Sequence, residues 1–374
     1  MSEVHLLTMP KWGLTMKKGT VVEWLIEEGA EVHPGLDLVD VETDKILSAV
    51  AAQSPGKLRR KVAREGEEVH VGGLLAVIAD STHSDERIES LVADFQAHYV
   101  PEKAEEETAG AVPETVMVAG QRLCYLRCGE GPDAAILIHG FGGDLNTWMF
   151  NHEDLAAQYR VYAIDLPGHG RSSKEVGEGG LSGFAEMVNG FAGATGIDQA
   201  HLVGHSMGGA IATLFALAHP ARCRSLTLIA SAGLGSEIDS EYIQGFIAAK
   251  RRNDLKPHLE KLFVDPRSVT RQLVEETLKY KRLDGVEPAL RAIAAHLCSG
   301  GKQETLLQEK LSGLPMPVLV LWGAEDRILP PAHARDLPAN VRVEILPHSG
   351  HMSHMEAAAK VNSAIRSFWG SVAR

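Results

Sequence analysis

The sequence predicts two folds on one chain: a small all-β sandwich at the N-terminus, then an α/β unit with a mostly parallel sheet and a helical cap. Three observations carry this expectation. Residues 19–41 and 56–78 repeat each other at an offset of 37. From Val116 onward, short apolar β-type runs alternate with helical patterns, the order that builds a parallel sheet with helices on both faces. One of those runs, 201–205, leads through Gly204-His205-Ser206-Met207-Gly208 into a helical stretch. That strand–turn–helix context presents a serine as a nucleophile.

In the repeat, Gly19 matches Gly56, Gly29 matches Gly66, Glu31 matches Glu68, Val32 matches Val69, His33 matches His70 and Gly35 matches Gly72. Apolar positions follow, with Leu25 on Val62, Leu38 on Leu75 and Val41 on Ile78. Each copy holds short β-rich runs punctuated by glycine. Two such copies are expected to close into a sandwich with approximate two-fold symmetry. The same offset maps Lys45 onto Thr8 and Thr82, near the two ends of the unit. Lys45 is therefore expected at a hairpin tip far from the termini, where a modifying enzyme can reach it. An isolated Asp-Lys pair would read as an ordinary surface turn; the repeat around it changes that reading.

Next comes an acidic linker, residues 81–114, loosely ordered in Ala, Glu, Thr and Pro. The net charge of the chain is −12. Residues 1–80 hold 13 acidic and 9 basic side chains and residues 81–115 hold 9 and 2, which leaves only about −1 on the remaining 259 residues. The excess charge thus sits in the connection, as in a solvated linker, and it weighs against a nucleic-acid partner. Within the linker, Ile88, Leu91, Val92, Phe95 and Tyr99 fall at helical spacing, and Ser84 can cap. One amphipathic helix is expected. Its apolar stripe is expected to pack on the following domain, with docking of a partner subunit as the alternative.

No apolar run approaches the ~20 residues of a membrane helix, and Met1 to Lys11 lacks the layout of a secretory leader. Cys124, Cys128, Cys223 and Cys298 form no CxxC spacing; they read as reduced thiols of a cytoplasmic protein with no metal site.

In the region 115–374, buried strands are expected at 135–139, 161–165, 201–205, 226–230, 318–322 and 341–346. Ser206 follows the third of these. Gly204 and Gly208 flank it because strand and helix backbones approach closely at such a turn. Trp322-Gly323-Ala324-Glu325-Asp326 ends a later strand, which makes Asp326 the candidate acid. The base is one of His348, His351 and His354 ahead of the last helix. A serine needs a histidine as proton acceptor, and the histidine needs a carboxylate to fix its tautomer. His139-Gly140-Phe141-Gly142-Gly143 follows a strand, so the backbone N–H groups of Phe141 and Met207 are the candidate oxyanion donors. The insertion at about 233–313 is the expected cap. Within it, Lys250-Arg251-Arg252 reads as a solvated face, with contact to phosphates of coenzyme A as the alternative.

Two resemblances join these readings. Met9-Pro10-Lys11-Trp12-Gly13 through Gly35, Glu42-Thr43-Asp44-Lys45 and Ser54-Pro55-Gly56 resemble a lipoyl domain of the 2-oxo acid dehydrogenase complexes, over about residues 3–80. That resemblance implies lipoate bound covalently to Lys45, attached by a lipoate ligase or lipoyl transferase. Biotin carriers share the fold but usually present Met-Lys-Met at the tip, whereas Asp44-Lys45-Ile46 stands here. Residues 115–374 resemble α/β-hydrolases. Ser349-Gly350-His351 is similar to that family's histidine loop, which implies His351 as base, and Asp165-Leu166-Pro167-Gly168-His169-Gly170-Arg171-Ser172 is similar to its structural loop, to which no catalytic role is assigned.

The combination resembles the dihydrolipoamide acetyltransferase subunit of bacterial acetoin dehydrogenase systems. It implies that a thiamine-diphosphate-dependent acetoin dehydrogenase component loads acetyl onto lipoyl-Lys45, that the acetyl passes to coenzyme A, and that a dihydrolipoamide dehydrogenase reoxidises the carrier. A homo-oligomer is expected. Ordinary acyltransferase subunits carry a C-terminal HxxxDG motif. Here the Asp-Gly pair is Asp284-Gly285, and the histidine position holds Tyr280. The expected route therefore runs through Ser206, His351 and Asp326. The alternatives are a serine hydrolase or thioesterase tethered to a lipoyl domain, and a carrier whose second domain serves assembly.

Overall fold

In the computed structural model, the described residues are 4–10, 12, 16–43, 47–80, 82–99, 112–177 and 179–372. Two compact units divide the chain near residue 110.

The first unit is a sandwich of two four-stranded sheets. One orders the strands His5–Thr8, Leu74–Ala79, Gly56–Lys61 and Glu31–Val32; the other orders Leu47–Ala51, Asp37–Glu42, Lys18–Trp24 and Glu68–His70. The repeat is visible in this arrangement. Lys18–Trp24 in one sheet corresponds to Gly56–Lys61 in the other, and Asp37–Glu42 to Leu74–Ala79, at the offset of 37. The matched glycines share a conformation: Gly29 and Gly66 have φ of +89° and +81°, and Gly35 and Gly72 +83° and +80°. Only glycine enters that region without steric cost, which is why the turns of both copies retain it. Val21, Leu38, Val41, Leu58 and Leu75 are fully buried between the sheets, each such side chain contributing roughly 1.5–3 kcal/mol by leaving water.

Helix α1 (Asp85–His98) forms as the periodicity predicts, with Ser84 Oγ accepting from the N–H of Arg87 at 3.3 Å. Its partner differs from the expectation. Ile88 and Val92 pack on Leu74, Val77 and Ala79 of the preceding sandwich. The reason lies in Leu74–Ala79, which is buried at every position rather than at alternate ones. A strand apolar on both faces needs a cover on its outer side, and α1 supplies it. Arg59 donates to Asp85 at 2.6 Å and the Tyr99 hydroxyl to the carbonyl of Val71 at 2.8 Å, fixing both ends of the helix.

The second unit is built on an eight-stranded sheet. In chain order its strands are β1 (Glu114–Val118), β2 (Gln121–Cys128), β3 (Ala134–Ile138), β4 (Arg160–Ile164), β5 (Ala200–His205), β6 (Cys223–Ile229), β7 (Val318–Gly323) and β8 (Val341–Leu346). They lie in the order β1-β2-β4-β3-β5-β6-β7-β8. From β4 to β8 all neighbours pair in parallel, while β2 runs antiparallel to β1 and β4. All six strands expected from sequence are present. β8 departs from its expected burial, because it closes the sheet as an edge and leaves Val343 and Ile345 exposed. Helices α2 (Leu181–Ala194) and α3 (Met207–Ala218) follow β4 and β5. The segment after β6 contributes α4 (Ser240–Ala248), α5 (Arg252–Glu260), α6 (Arg271–Lys281) and α7 (Val286–Leu297) before the chain returns to β7; α8 (Ala358–Ser371) ends it.

Candidate active site

Parallel strands deliver their C-terminal ends to one edge of the sheet, and the chemistry collects there. At the end of β5, Ser206 has φ of +52° and ψ of −120°, a conformation that costs a non-glycine residue of order 1–3 kcal/mol. Three backbone hydrogen bonds hold it. Ser206 N–H donates to Ile229 at 3.0 Å, and the Ser206 carbonyl accepts from Gly209 and Ala232, both at 2.9 Å. The flanking glycines leave no room for a side chain: a Cβ on Gly204 would lie 2.3 Å from the carbonyl oxygen of Gly208, and one on Gly208 would lie 2.2 Å from that of Ile138.

The candidate acid and base lie together, in keeping with their order in the sequence. The Nδ1–H of His351 donates to Asp326 Oδ2 at 2.8 Å, and both side chains are buried. The other oxygen of Asp326 accepts from the N–H groups of Ile328 and Leu329 at 2.8 and 3.0 Å. This carboxylate is therefore held by three donors and cannot rotate. The rival histidines are elsewhere. His348 has a side chain 93% exposed, near Glu325. His354 is buried with its ring against Trp148 and His205, and burial pushes its pKa down to about 3. The histidine loop reaches the elbow through His205, the residue before Ser206, whose Nε2–H donates to the carbonyl of His351 at 3.0 Å. Glu356 fixes the other side of that loop by accepting from Gly350 and from Val264 of the inserted segment, each at 2.7 Å.

On the opposite side of Ser206 runs the loop after β3. Gly140 lies so close that a Cβ there would be 2.9 Å from Cβ of Ser206. The N–H groups of Phe141 and Met207 donate to no backbone acceptor among the described residues. Two histidines brace this loop, and the sequence reading gave neither of them a part. His139 donates from Nδ1 to the carbonyl of Gly140 at 2.7 Å and accepts at Nε2 from Leu166 N–H at 3.0 Å; burial pushes its pKa down to about 4. His169 accepts at Nε2 from Gly142 N–H at 3.1 Å. Their signals were the His-Gly pair after β3 and the histidine inside the 165–172 motif. In that motif Asp165 accepts from Leu145 and Arg171, each at 2.7 Å, and burial beside Asp144 raises its pKa to about 7.

Lys45 lies outside the described residues. The strands on either side of it, Asp37–Glu42 and Leu47–Ala51, pair antiparallel with Glu42 opposite Leu47, so residues 43–46 link them. A lysine in such a link offers the amine that an amide-bound lipoyl group requires. Lys250 and Arg251 are exposed and pair loosely with Glu287 and Asp254, in keeping with a solvated face. Among the described residues, no cluster of side chains could hold a metal ion, and no helix is long and apolar enough to cross a membrane.

Comparison with known proteins follows this division. Residues 5–78 match the family described as biotin-requiring enzyme, and residues 134–358 match the alpha/beta hydrolase fold. A Pseudomonas putida protein, the dihydrolipoyllysine-residue acetyltransferase component of its acetoin cleaving system, is 47% identical over 98% of this chain and 99% of its own length. The chain belongs to this family of acetyltransferase components. The Cupriavidus necator component of the same name is 44% identical over 97% of both chains. Among solved structures, a bacterial membrane phospholipase A superposes with a TM-score of 0.62 at 29% identity, over 76% of this chain and 92% of its own. The family thus joins a carrier unit to a hydrolase-type unit along its full length.

Proposed function

We propose that this protein accepts acetyl on lipoyl-Lys45 and passes it to coenzyme A by way of an acyl-Ser206 intermediate, within acetoin catabolism. The observation that carries this reading is the buried Asp326–His351 pair beside the strained Ser206 elbow, in a chain whose acetyltransferase relatives align from end to end.

Lipoate, when attached, supplies the dithiol that holds acetyl as a thioester. The chain's own residues do the rest. Asp326 keeps the proton of His351 on Nδ1, so Nε2 is free to act as base. His351 takes the proton of Ser206 Oγ as that oxygen attacks the thioester carbonyl. The N–H groups of Phe141 and Met207 hold the oxyanion. Collapse breaks the carbon–sulfur bond, and the departing thiol receives the proton from His351. The thiol of coenzyme A then gives its proton to His351 and attacks the acyl-Ser206 carbonyl. The serine oxygen leaves and recovers the proton. Water must lose to the thiol in this second half, and the α4–α7 segment is the device that excludes it.

The partners of this reading are a thiamine-diphosphate-dependent acetoin dehydrogenase component, a dihydrolipoamide dehydrogenase, a lipoate ligase or lipoyl transferase, and further copies of the same chain. A tethered hydrolase is the second reading, favoured by the likeness of the second unit to a solved phospholipase. Acetylated protein mixed with coenzyme A separates the two. Transfer yields acetyl-coenzyme A in proportion to the acetyl lost; free acetate as the main product would establish the hydrolase.

A further inference from the structure

The loop after β3 is a tight turn. Gly143 N–H donates to the carbonyl of Gly140 at 3.2 Å, and Gly142 has φ of +73°, the arrangement of a type II turn with Phe141 and Gly142 at its centre. Types I and II differ by a flip of the central peptide, whose N–H belongs to Gly142. In this protein that N–H has a fixed acceptor, Nε2 of His169 at 3.1 Å. The acceptor is itself fixed. His169 is wholly buried, and its Nδ1 lies 3.1 Å from the carbonyl of Pro167. A carbonyl only accepts, so the proton sits on Nδ1 and leaves Nε2 unprotonated.

The inserted helices hold the same assembly from above. The hydroxyl of Tyr280, on α6, donates to the carbonyl of Gly168 at 2.8 Å, and its ring lies nearly parallel to that of His169, 15° between planes. The next residue, Lys281, donates to the carbonyl of Phe246 on α4. The Phe246 ring meets the Phe141 ring edge-on, with centroids 5.9 Å apart. Any Cβ on Gly142 would strike that ring at 2.6 Å. Adjacent residues of α6 therefore reach the turn from two sides, one through His169 and one through Phe246.

We propose that His169 is a positioning residue for acyl transfer: by taking the Gly142 N–H it locks the turn in its type II form and so fixes the place of Phe141, whose own N–H in the preceding peptide meets the oxyanion, and Tyr280 of the inserted segment holds His169 in register. The proposal rests on the reading of Phe141 as an oxyanion donor. It gives the 165–172 motif, which the sequence reading left without a role in the reaction, a defined one. The motif also carries a brace of its own. Lys174 donates to the carbonyls of His169, Gly170 and Ser172.

The test uses full-length lipoylated protein and measures kcat and KM for acetyl transfer to coenzyme A in His169→Leu, His169→Gln and Tyr280→Phe. Leucine fills similar space but accepts no hydrogen bond, so kcat falls about 100-fold with KM little changed, as small misplacements of catalytic groups do. Glutamine presents a carbonyl oxygen that can take the Gly142 N–H, and it recovers much of the loss. Tyr280→Phe falls several-fold in kcat. A His169→Leu enzyme at the wild-type kcat, a glutamine variant no better than leucine, or a loss confined to KM overturns the proposal. If His169→Leu fails to fold, Tyr280→Phe decides the matter through the rate at which a phosphonate labels Ser206, a slowed rate supporting the proposal and an unchanged one refuting it. Ser206→Ala run alongside separates the two layers. Its full activity would sink the acyl-serine reading itself, whereas its inactivity beside an active His169→Leu enzyme sinks this proposal alone.

Discussion

The two units treat polar groups in opposite ways. Among the described residues, every buried polar or charged residue lies beyond residue 110, and the interior of the N-terminal sandwich holds only apolar side chains. A carrier needs nothing inside but a rigid frame for one lysine. The second unit buries His139, Asp165, His169, Ser206, Asp326 and His351, although desolvating such groups opposes folding. The second unit offsets that cost by giving His139, Asp165, His169 and Asp326 hydrogen-bond partners in its own backbone. In the proposed reading the first unit's function rests on one side chain, Lys45, and the second unit's on an entire buried network.

The largest effect that sharpens this contrast comes from Lys45→Arg. The charge stays but the amide cannot form, so the intact complex loses acetyl carriage completely while the second unit keeps its rate on small free thioesters. Intact mass is the check, and a lipoyl increment surviving in the variant would refute the assignment. Next is Asp326→Asn, which is expected to lower transfer roughly 10⁴-fold. Ile328 and Leu329 already donate to one oxygen of this side chain. The amide nitrogen of asparagine must then face His351 Nδ1 and drive the proton onto Nε2. Steady-state rates at saturating coenzyme A measure this, with a loss below tenfold counting against the tautomer argument.

Cutting the chain near Ala109 should slow transfer from the lipoyl unit about tenfold or more at micromolar protein, because joining carrier and acceptor in one chain raises their effective concentration toward millimolar. Rates on small free thioesters should stay the same. Equal transfer before and after the cut would show that the connection is passive.

The smallest effect concerns acid stability. Burial lowers the pKa values of His139, His152 and His201 to about 4, that of His354 to about 3, and those of His169 and His205 well below the ordinary 6.5. As pH falls below about 6.5 the unfolded chain binds protons that the folded unit refuses, so stability is lost toward pH 4. Asp165, raised to about 7, works the other way, since the folded unit keeps its proton as pH falls from 7 toward 4, but it is outnumbered. Hydrogen exchange on the full-length protein at pH 7 and pH 5 should show protection falling in β3–β7. An equal fall in the strands that carry Leu38 and Leu75 would break the comparison.

Much of this was legible because function and periodicity coincide. Glycines 37 residues apart marked turns that need positive φ. Apolar runs marked six strands, and Ser206, Asp326 and His351 followed three of their ends in order. What stayed hidden depends on partners distant in sequence. The stripe Ile88 and Val92 announced a buried helix without saying that Leu74–Ala79, apolar on both faces, would be its cover. The exposure of Val343 and Ile345 follows from an edge position that no single strand reveals. His139 and His169 sat in recognised motifs, but their bonds to Leu166 and Gly142 cross 27 residues of chain. The choice of His351 over His348 and His354 became physical only with Asp326 in view.

The most direct test of the central claim is acetyl transfer to coenzyme A by purified, lipoylated Ser206→Ala protein. Removing the proposed nucleophile should lower the rate by several orders of magnitude, while the protein remains folded, lipoylated and open to loading at Lys45. Transfer at the wild-type rate would contradict the acyl-serine account and leave the second unit's buried network without its reaction.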